Sequence, residues 1–267
     1  MQAGLAARHP EVQALKAMLR ERAARAEAGM CVIEGPRALE GALDRGAGVV
    51  AVYLGEGAAR AFAPLVARAE AAGIRVEQLR DGVLDKIGTV RAPQPVLASC
   101  RTPRDASLDD LAADGMVLVT CGVADPGNLG TLLRSAEAAG AAGVVSCGGG
   151  VDPWNPKVVR ASAGAVFGVP MVEEDDPVQV LERLGARGVR RLGTVARGGD
   201  SPERAGLTGG VALILGNEAH GLPDDVTAIL DGNVTIPMAG PAESLNVAVA
   251  GSVLLFEGAR QRAEGDR

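Results

Sequence analysis

Four short stretches carry residue types whose spacing suits chemistry on a bound ligand. In Asp125-Pro126-Gly127-Asn128-Leu129-Gly130, followed by Arg134, an apolar run ends and a helix pattern begins. A helix N-terminus presents unpaired N–H groups and the positive end of its dipole, and Arg134 adds a permanent cation, so an anion such as a phosphate can be held there. The same string also suits a plain helix cap followed by a solvated arginine. Leu215-Gly216-Asn217-Glu218-Ala219-His220-Gly221-Leu222 closes another apolar run with a glycine turn, in which main-chain groups can approach a small ligand closely. A carboxylate in such a turn needs a partner, and an arginine is the expected one for Glu218, while His220 reads as exposed or packing. In Ile236-Pro237-Met238 and Ser244-Leu245-Asn246, Ser244 is placed to cap the last helix, and Asn246 to orient a substrate hydroxyl or hold the loop. Lys157, Arg160 and Ser162 gather near the start of a helix in Asp152-Pro153-Trp154-Asn155-Pro156, either as a polar binding face or as a capped helix with two exposed cations.

The elements that must position these residues alternate. Pro10 and the apolar spacing of Val12, Leu15, Met18 and Leu19 predict a helix over 10–28, with Gly29 just beyond it. Strands are expected at 30–33, 49–54, 74–79 and 95–99, with helices from Pro36 through Leu43 and over 58–72. The stretch 101–113, including Thr102-Pro103-Arg104-Asp105, lacks periodicity and reads as a linker or surface connection, with the domain boundary placed there. Beyond it, the runs 116–121, 142–147, 189–196 and 211–215 are continuously apolar, the pattern of strands buried on both faces of a parallel sheet. A final helix is expected over 244–262, with Val247, Ala250, Gly251, Leu254 and Leu255 on one stripe. The fold class is α/β, with ligands expected at the carboxyl ends of the strands.

The chain has 267 residues, 47% hydrophobic and 22% charged, ordinary values for a globular protein. No apolar stretch reaches bilayer length and the first residues lack the apolar core of a secretory signal, so a cytoplasmic location is expected. Cys31, Cys100, Cys121 and Cys147 are widely spaced and only His9 and His220 could join them, so neither a metal site nor a disulfide is assigned. A net charge of −6 runs against a wholly basic nucleic-acid binder, but phosphate contacts need only a local basic face. Only three of the 27 cations are lysines (Lys16, Lys86 and Lys157), and the arginines suit bidentate phosphate contacts.

Taken together and in this order, the stretches around Asn128 and Arg134, Gly216-Asn217-Glu218 and Gly221, and Ile236-Pro237-Met238 with Ser244-Leu245-Asn246 resemble the SpoU/TrmH family of RNA ribose 2′-O-methyltransferases in the SPOUT superfamily. Val32-Ile33-Glu34-Gly35-Pro36-Arg37 and the small α/β unit after it look like that family's substrate-binding domain, which is similar to a small ribosomal RNA-binding protein. The chain departs from the family pattern at Ala92-Pro93-Gln94-Pro95, and at Trp154 and Asn155, which bear on stacking against a base or only on packing.

The resemblance implies an RNA substrate-binding domain over 1–106 and a SPOUT methyltransferase domain over 107–267, with a parallel sheet and a deep trefoil knot. It implies transfer of a methyl group from S-adenosylmethionine to a ribose 2′-hydroxyl of structured RNA, ribosomal RNA being preferred. By motif, Arg134, Asn128, Glu218, Ser244 and Asn246 would be catalytic. The cofactor would be held by Thr194, Val195 and Ala196, by Leu215, Gly216, Asn217 and Gly221, and by Ile236, Met238, Ser244, Leu245 and Val247. Arg37, Lys157, Arg160 and Ser162 would face RNA, the protein would be a homodimer, and no metal or membrane would be involved. The alternatives are a tRNA ribose methyltransferase and a non-catalytic RNA-binding or ribosome-assembly protein. A dinucleotide enzyme, suggested by Cys147-Gly148-Gly149-Gly150 after a strand, lacks the rest of that fingerprint.

Overall fold

The computed structural model describes residues 4–89, 94–103 and 106–265. Ala92 and Pro93 of the family departure, and Arg104 and Asp105 of the expected linker, lie outside them. In chain order the elements are α1 (Pro10–Arg20), α2 (Arg22–Ala28), β1 (Met30–Glu34), α3 (Pro36–Asp44), β2 (Val49–Leu54), α4 (Ala58–Ala61), α5 (Ala63–Ala71), β3 (Arg75–Gln78), α6 (Val83–Ile87) and β4 (Val96–Arg101). There follow β5 (Met116–Cys121), α7 (Pro126–Ala138), β6 (Gly143–Cys147), α8 (Pro156–Ala161), β7 (Met171–Glu173), α9 (Pro177–Ala186), β8 (Arg190–Thr194), β9 (Val211–Leu215), α10 (Asp224–Ala228), β10 (Gly232–Val234) and α11 (Val247–Gly265). Contacts divide the chain into two compact units, Met1–Arg104 with Asp152–Phe167, and Asp105–Val151 with Gly168–Arg267. The segment Asp152–Phe167 thus clusters with the first unit, although by position in the chain it falls within the second expected domain.

The first unit is built on a four-stranded sheet in the order β1-β4-β2-β3, with β4 antiparallel to both neighbours and β3 parallel to β2. Val12, Leu15, Met18 and Leu19 of α1 join Val32, Ala51, Tyr53 and Leu97 in its core. The single helix expected over 10–28 breaks at Glu21, whose backbone turns extended (φ −120°, ψ 122°). The break aims Arg25 inward, where its Nη1 donates to the Met18 carbonyl at 2.6 Å and its guanidinium pairs with the buried Asp152 carboxylate. The helix expected over 58–72 also divides, at Phe62, because Pro64 in the next turn has no N–H to continue the ladder.

The second unit holds a six-stranded sheet in the order β10-β8-β9-β5-β6-β7, every pair parallel. Its central strands are buried throughout, which accounts for their continuous apolarity. The stretch read as a linker is anchored instead. Leu108 and Leu111 are in the core, Ser107 and Asp110 cap a 3₁₀ turn over Leu108–Asp110, and Arg187 donates to the carbonyls of both leucines. Strand β5 leads into α7 and β9 into the Gly216–Gly221 turn, so both motifs stand at the carboxyl edge of the sheet. The last helix packs on α7, joined there by a 2.7 Å contact between the hydroxyls of Ser135 and Ser252.

Candidate active site

The ends of β8 and β9, the segment after β10 and the start of α11 enclose a cavity of about 500 Å³ in the second unit, within the range of small-ligand sites. Thr194, Val195 and Ala196 line it from β8 and just beyond, and Leu215, Gly216, Asn217 and Gly221 from the end of β9 and its turn. Ile236, Met238, Ser244, Leu245 and Val247 line it from the segment into α11. Glu218 and Asn246 also reach it, as do Glu243 and Ala250, which the sequence reading passed over. The signal for both was positional, since Glu243 precedes Ser244 and Ala250 lies one helical turn after Asn246.

The glycine turn is closed by two main-chain bonds, Asn217 N–H to the Gly221 carbonyl at 3.0 Å and Gly221 N–H to the Asn217 carbonyl at 2.9 Å. Gly221 adopts φ +70°, and a Cβ on Gly216 would collide with the main chain of Gly221 and Leu222.

Among the described residues Glu218 finds no arginine. Its carboxylate accepts from the main-chain N–H groups of Ala124 (3.2 Å) and Asp125 (3.3 Å) and from Asn128 Nδ2 (2.8 Å). The loop before α7 turns these donors toward the β9 turn, and they do the work expected of a cation. Partial burial pushes the Glu218 carboxyl up, but the bonds from Asn128 and the main chain outweigh it and hold the group below the usual carboxylate range. Asn128 passes the link on, its Oδ1 accepting from Asn246 Nδ2 at 3.0 Å.

Asn246, not Ser244, caps α11, its Oδ1 accepting from the N–H groups of Ala248 (2.9 Å) and Val249 (3.2 Å). The helix begins at Val247, three residues later than expected, which leaves Ser244 exposed on the cavity wall. Arg134 is exposed on α7, is not among the cavity residues, and makes no ion pair among the described residues.

The residues expected to face RNA lie in the first unit and differ in exposure. Arg37 and Lys157 are exposed, at the first turns of α3 and α8. Arg160 is half-buried and not a free cation, since its Nη1 meets the buried Glu34 carboxylate at 2.7 Å. Glu34 also accepts from the Thr89 main chain and hydroxyl. Ser162 is buried and gives its hydroxyl proton to the Val159 carbonyl at 2.9 Å. Trp154 is buried beside Phe167, ring centroids 6.0 Å apart, and packs there, while Asn155 caps α8 by accepting from the Lys157 N–H at 2.9 Å.

The cavity fits the donor that the resemblance implies. Leu215, Ile236, Met238, Leu245 and Val247 offer apolar walls for a heteroaromatic ring, and the carboxylates of Glu218 and Glu243 favour a cation such as a sulfonium. Thr194 Oγ1 is buried without a hydrogen-bond partner, an orphan that a polar ligand would satisfy. Among the described residues no group of three or more His, Cys, Asp or Glu is placed to hold a metal ion, and no helix is long and apolar enough to cross a membrane.

Comparison with known proteins agrees with this geometry. Residues 115–256 match the model of the SpoU rRNA methylase family, and residues 9–98 that of the MRM3-like substrate binding domain. A 23S rRNA (uridine(2479)-2′-O)-methyltransferase of Streptomyces viridochromogenes is 32% identical, covering 98% of this chain and 93% of that protein. The 23S rRNA (guanosine(2553)-2′-O)-methyltransferase RlmP of Bacillus subtilis is 36% identical over 69% of this chain and 72% of its own. Among solved structures, the SpoU methyltransferase AviRb of Streptomyces viridochromogenes, in complex with the cofactor AdoMet, superposes with a TM-score of 0.82 at 29% identity, covering 96% of this chain and all of that one. The chain belongs to the SpoU rRNA methylase family.

Proposed function

We propose that this protein transfers the methyl group of S-adenosylmethionine to a ribose 2′-hydroxyl of ribosomal RNA. The observation that carries the reading is the cavity at the strand ends with the Glu218–Asn128–Asn246 chain of hydrogen bonds along its rim. Likeness to 23S rRNA methyltransferases, in one case over 98% of the chain, supports ribosomal RNA over tRNA, because it includes the N-terminal substrate-binding region. In this reading residues 1–106 recognise RNA and residues 107–267 carry the cavity and the deep knot expected of the family. Arg37 and Lys157 are the exposed cations we assign to RNA, with Arg160 and Ser162 shaping the surface beneath them. A cytoplasmic location follows from that substrate.

S-adenosylmethionine supplies an electrophilic sulfonium methyl when bound. Thr194 through Ala196, the Gly216–Gly221 turn and the stretch from Ile236 to Val247 hold it. Glu218 is an orienting group rather than a proton acceptor, because its oxygens are already committed to three donors and its carboxyl is held ionised. Ser244 is free to bond the ribose. Arg134, always protonated, favours the anionic form of a nearby 2′-oxygen and so makes the hydroxyl a better nucleophile. The protein acts as a homodimer in which Arg134 serves the cavity of the other subunit. Two observations support this: Arg134 does not line its own cavity, and Val249, Val253 and Phe256 form an exposed apolar stripe along α11, at 47%, 42% and 52% exposure.

The test is transfer of a tritiated methyl group to an unmethylated 23S rRNA transcript, with the site mapped by mass spectrometry. Label on a ribose 2′-oxygen is expected. Label on tRNA alone would favour the tRNA reading, and no label together with no thermal shift by S-adenosylmethionine would leave an RNA-binding protein.

A further inference from the structure

A second cavity, also about 500 Å³, opens at the same sheet edge, where β5 and β6 end. Cys121, Gly122, Gly148 and Gly149 form its strand-end walls, and His220 stands on the other side. Asn217 and Gly221 line both this cavity and the donor cavity, so a single turn of chain separates them. The methyltransferase reading leaves this space unused.

The chemistry of the wall can be read from hydrogen-bond bookkeeping. Asn217 Nδ2 donates to the Gly122 carbonyl at 2.8 Å, which fixes the orientation of its amide. Asn217 Oδ1 therefore faces three groups: the N–H of Ala219 (2.9 Å), the N–H of His220 (3.1 Å) and His220 Nδ1 (3.1 Å). An oxygen acceptor requires the proton on Nδ1, which leaves Nε2 as the acceptor of that tautomer. The exposed edge of His220 is thus an acceptor looking for an N–H.

A phosphate is the wrong occupant. The first N–H groups of α9, beside Pro177 on the cavity wall, are already taken by Asp176, whose Oδ1 accepts from Val178 (2.8 Å) and Gln179 (3.2 Å). The acidic run Glu174-Asp175-Asp176 leads into Pro177 behind this wall, the Asp175 carbonyl accepting from Gly148 N–H at 3.1 Å, and it disfavours an anion nearby. A flat, neutral ring with N–H groups on its edge suits the glycine walls and the His220 acceptor.

We propose that this second cavity seats the base of the nucleotide whose ribose is methylated, with His220 Nε2 accepting a hydrogen bond from a ring or exocyclic N–H of that base. The proposal rests on the methyltransferase reading, and it adds the reason a ribose would be presented beside the donor: its base is anchored one turn of chain away.

The experiment compares wild type, His220→Phe and His220→Gln in methyl transfer to 23S rRNA transcript, alongside S-adenosylmethionine affinity by calorimetry. His220→Phe keeps a ring of similar size but removes the acceptor, so kcat/KM for RNA should fall about tenfold, the equivalent of one hydrogen bond. Donor affinity should stay within twofold, since the Asn217–Gly221 turn remains. His220→Gln, whose amide oxygen can accept in place of Nε2, should recover most of the loss. The base seat is overturned if an active wild type is matched by His220→Phe, if donor affinity and transfer fall together, or if His220→Gln is no better than His220→Phe. A wild type that methylates neither ribosomal nor transfer RNA instead defeats the methyltransferase reading, and the base seat with it.

Discussion

Glu218 shows how one side chain can tie loops from distant parts of the chain together at a site. Its carboxylate collects three N–H donors from the loop before α7 and turns Asn128 so that Asn128 Oδ1 is free for Asn246. Glu218→Gln keeps the shape but leaves one accepting oxygen for those donors and points an NH₂ group at the rest. Transfer in single turnover should fall roughly 10- to 100-fold through lost alignment. The stability loss should be only about 1 kcal/mol, because the group is exposed to solvent. The carboxyl is held below its usual range in the folded protein, so its contribution is complete above the unfolded value and is lost as pH falls through the lowered folded one. The Tm gap between wild type and Glu218→Gln should therefore close on acidification, and a gap that widens would refute the assignment. The sequence marked Glu218 as a carboxylate needing a partner, but no local rule could say that the partner was a loop distant in the chain rather than an arginine. Arg160 taught the converse, since nothing local revealed that Glu34 would claim it.

At the scale of elements, the most readable features were those with a strong local cause. The strands at 49–54, 116–121 and 211–215 lie where continuous or β-branched apolar runs put them, and Gly29 ends α2 in a left-handed conformation. The break at Phe62 had a local sign in Pro64, whereas the break at Glu21 was less legible, because the Arg25–Asp152 pair that it accommodates is a long-range contact. The three-residue strands β7 and β10 are too short to show a period and exist through their neighbours. Two measurements probe this level. Arg25→Met leaves Asp152 buried and unpaired, so urea unfolding should show a loss of about 3–5 kcal/mol. At the start of α11, Asn246→Ala should cost about 1 kcal/mol as a lost cap, whereas Ser244→Ala should stay within about 0.5 kcal/mol. Equal costs would mean that the serine shares the capping.

For the whole molecule, the sequence reading of α11 identified a buried stripe that includes Gly251, Leu254 and Leu255. It did not register Val249, Val253 and Phe256, which follow the same helical spacing on another face and stay exposed in a single chain. Such a stripe suits a self-complementary interface, and it lies on the helix that packs against α7, which carries Arg134. Mixed dimers separate action within a subunit from action across the interface. Arg134→Ala has an intact donor cavity but no guanidinium, while Gly216→Val keeps Arg134 and drives a side chain into the Gly221 and Leu222 main chain, displacing the turn that lines the cavity. Each variant alone should be a folded dimer by size-exclusion chromatography, and each alone should transfer no methyl group. Refolded together in equal amounts, half the dimers are mixed. If Arg134 serves the partner's cavity, each mixed dimer has one complete site, and the mixture should regain about a quarter of wild-type turnover. If Arg134 serves its own cavity, no mixed dimer holds a complete site and the mixture stays inactive. Adding Phe256→Glu to both variants should abolish the regained turnover along with the dimer itself.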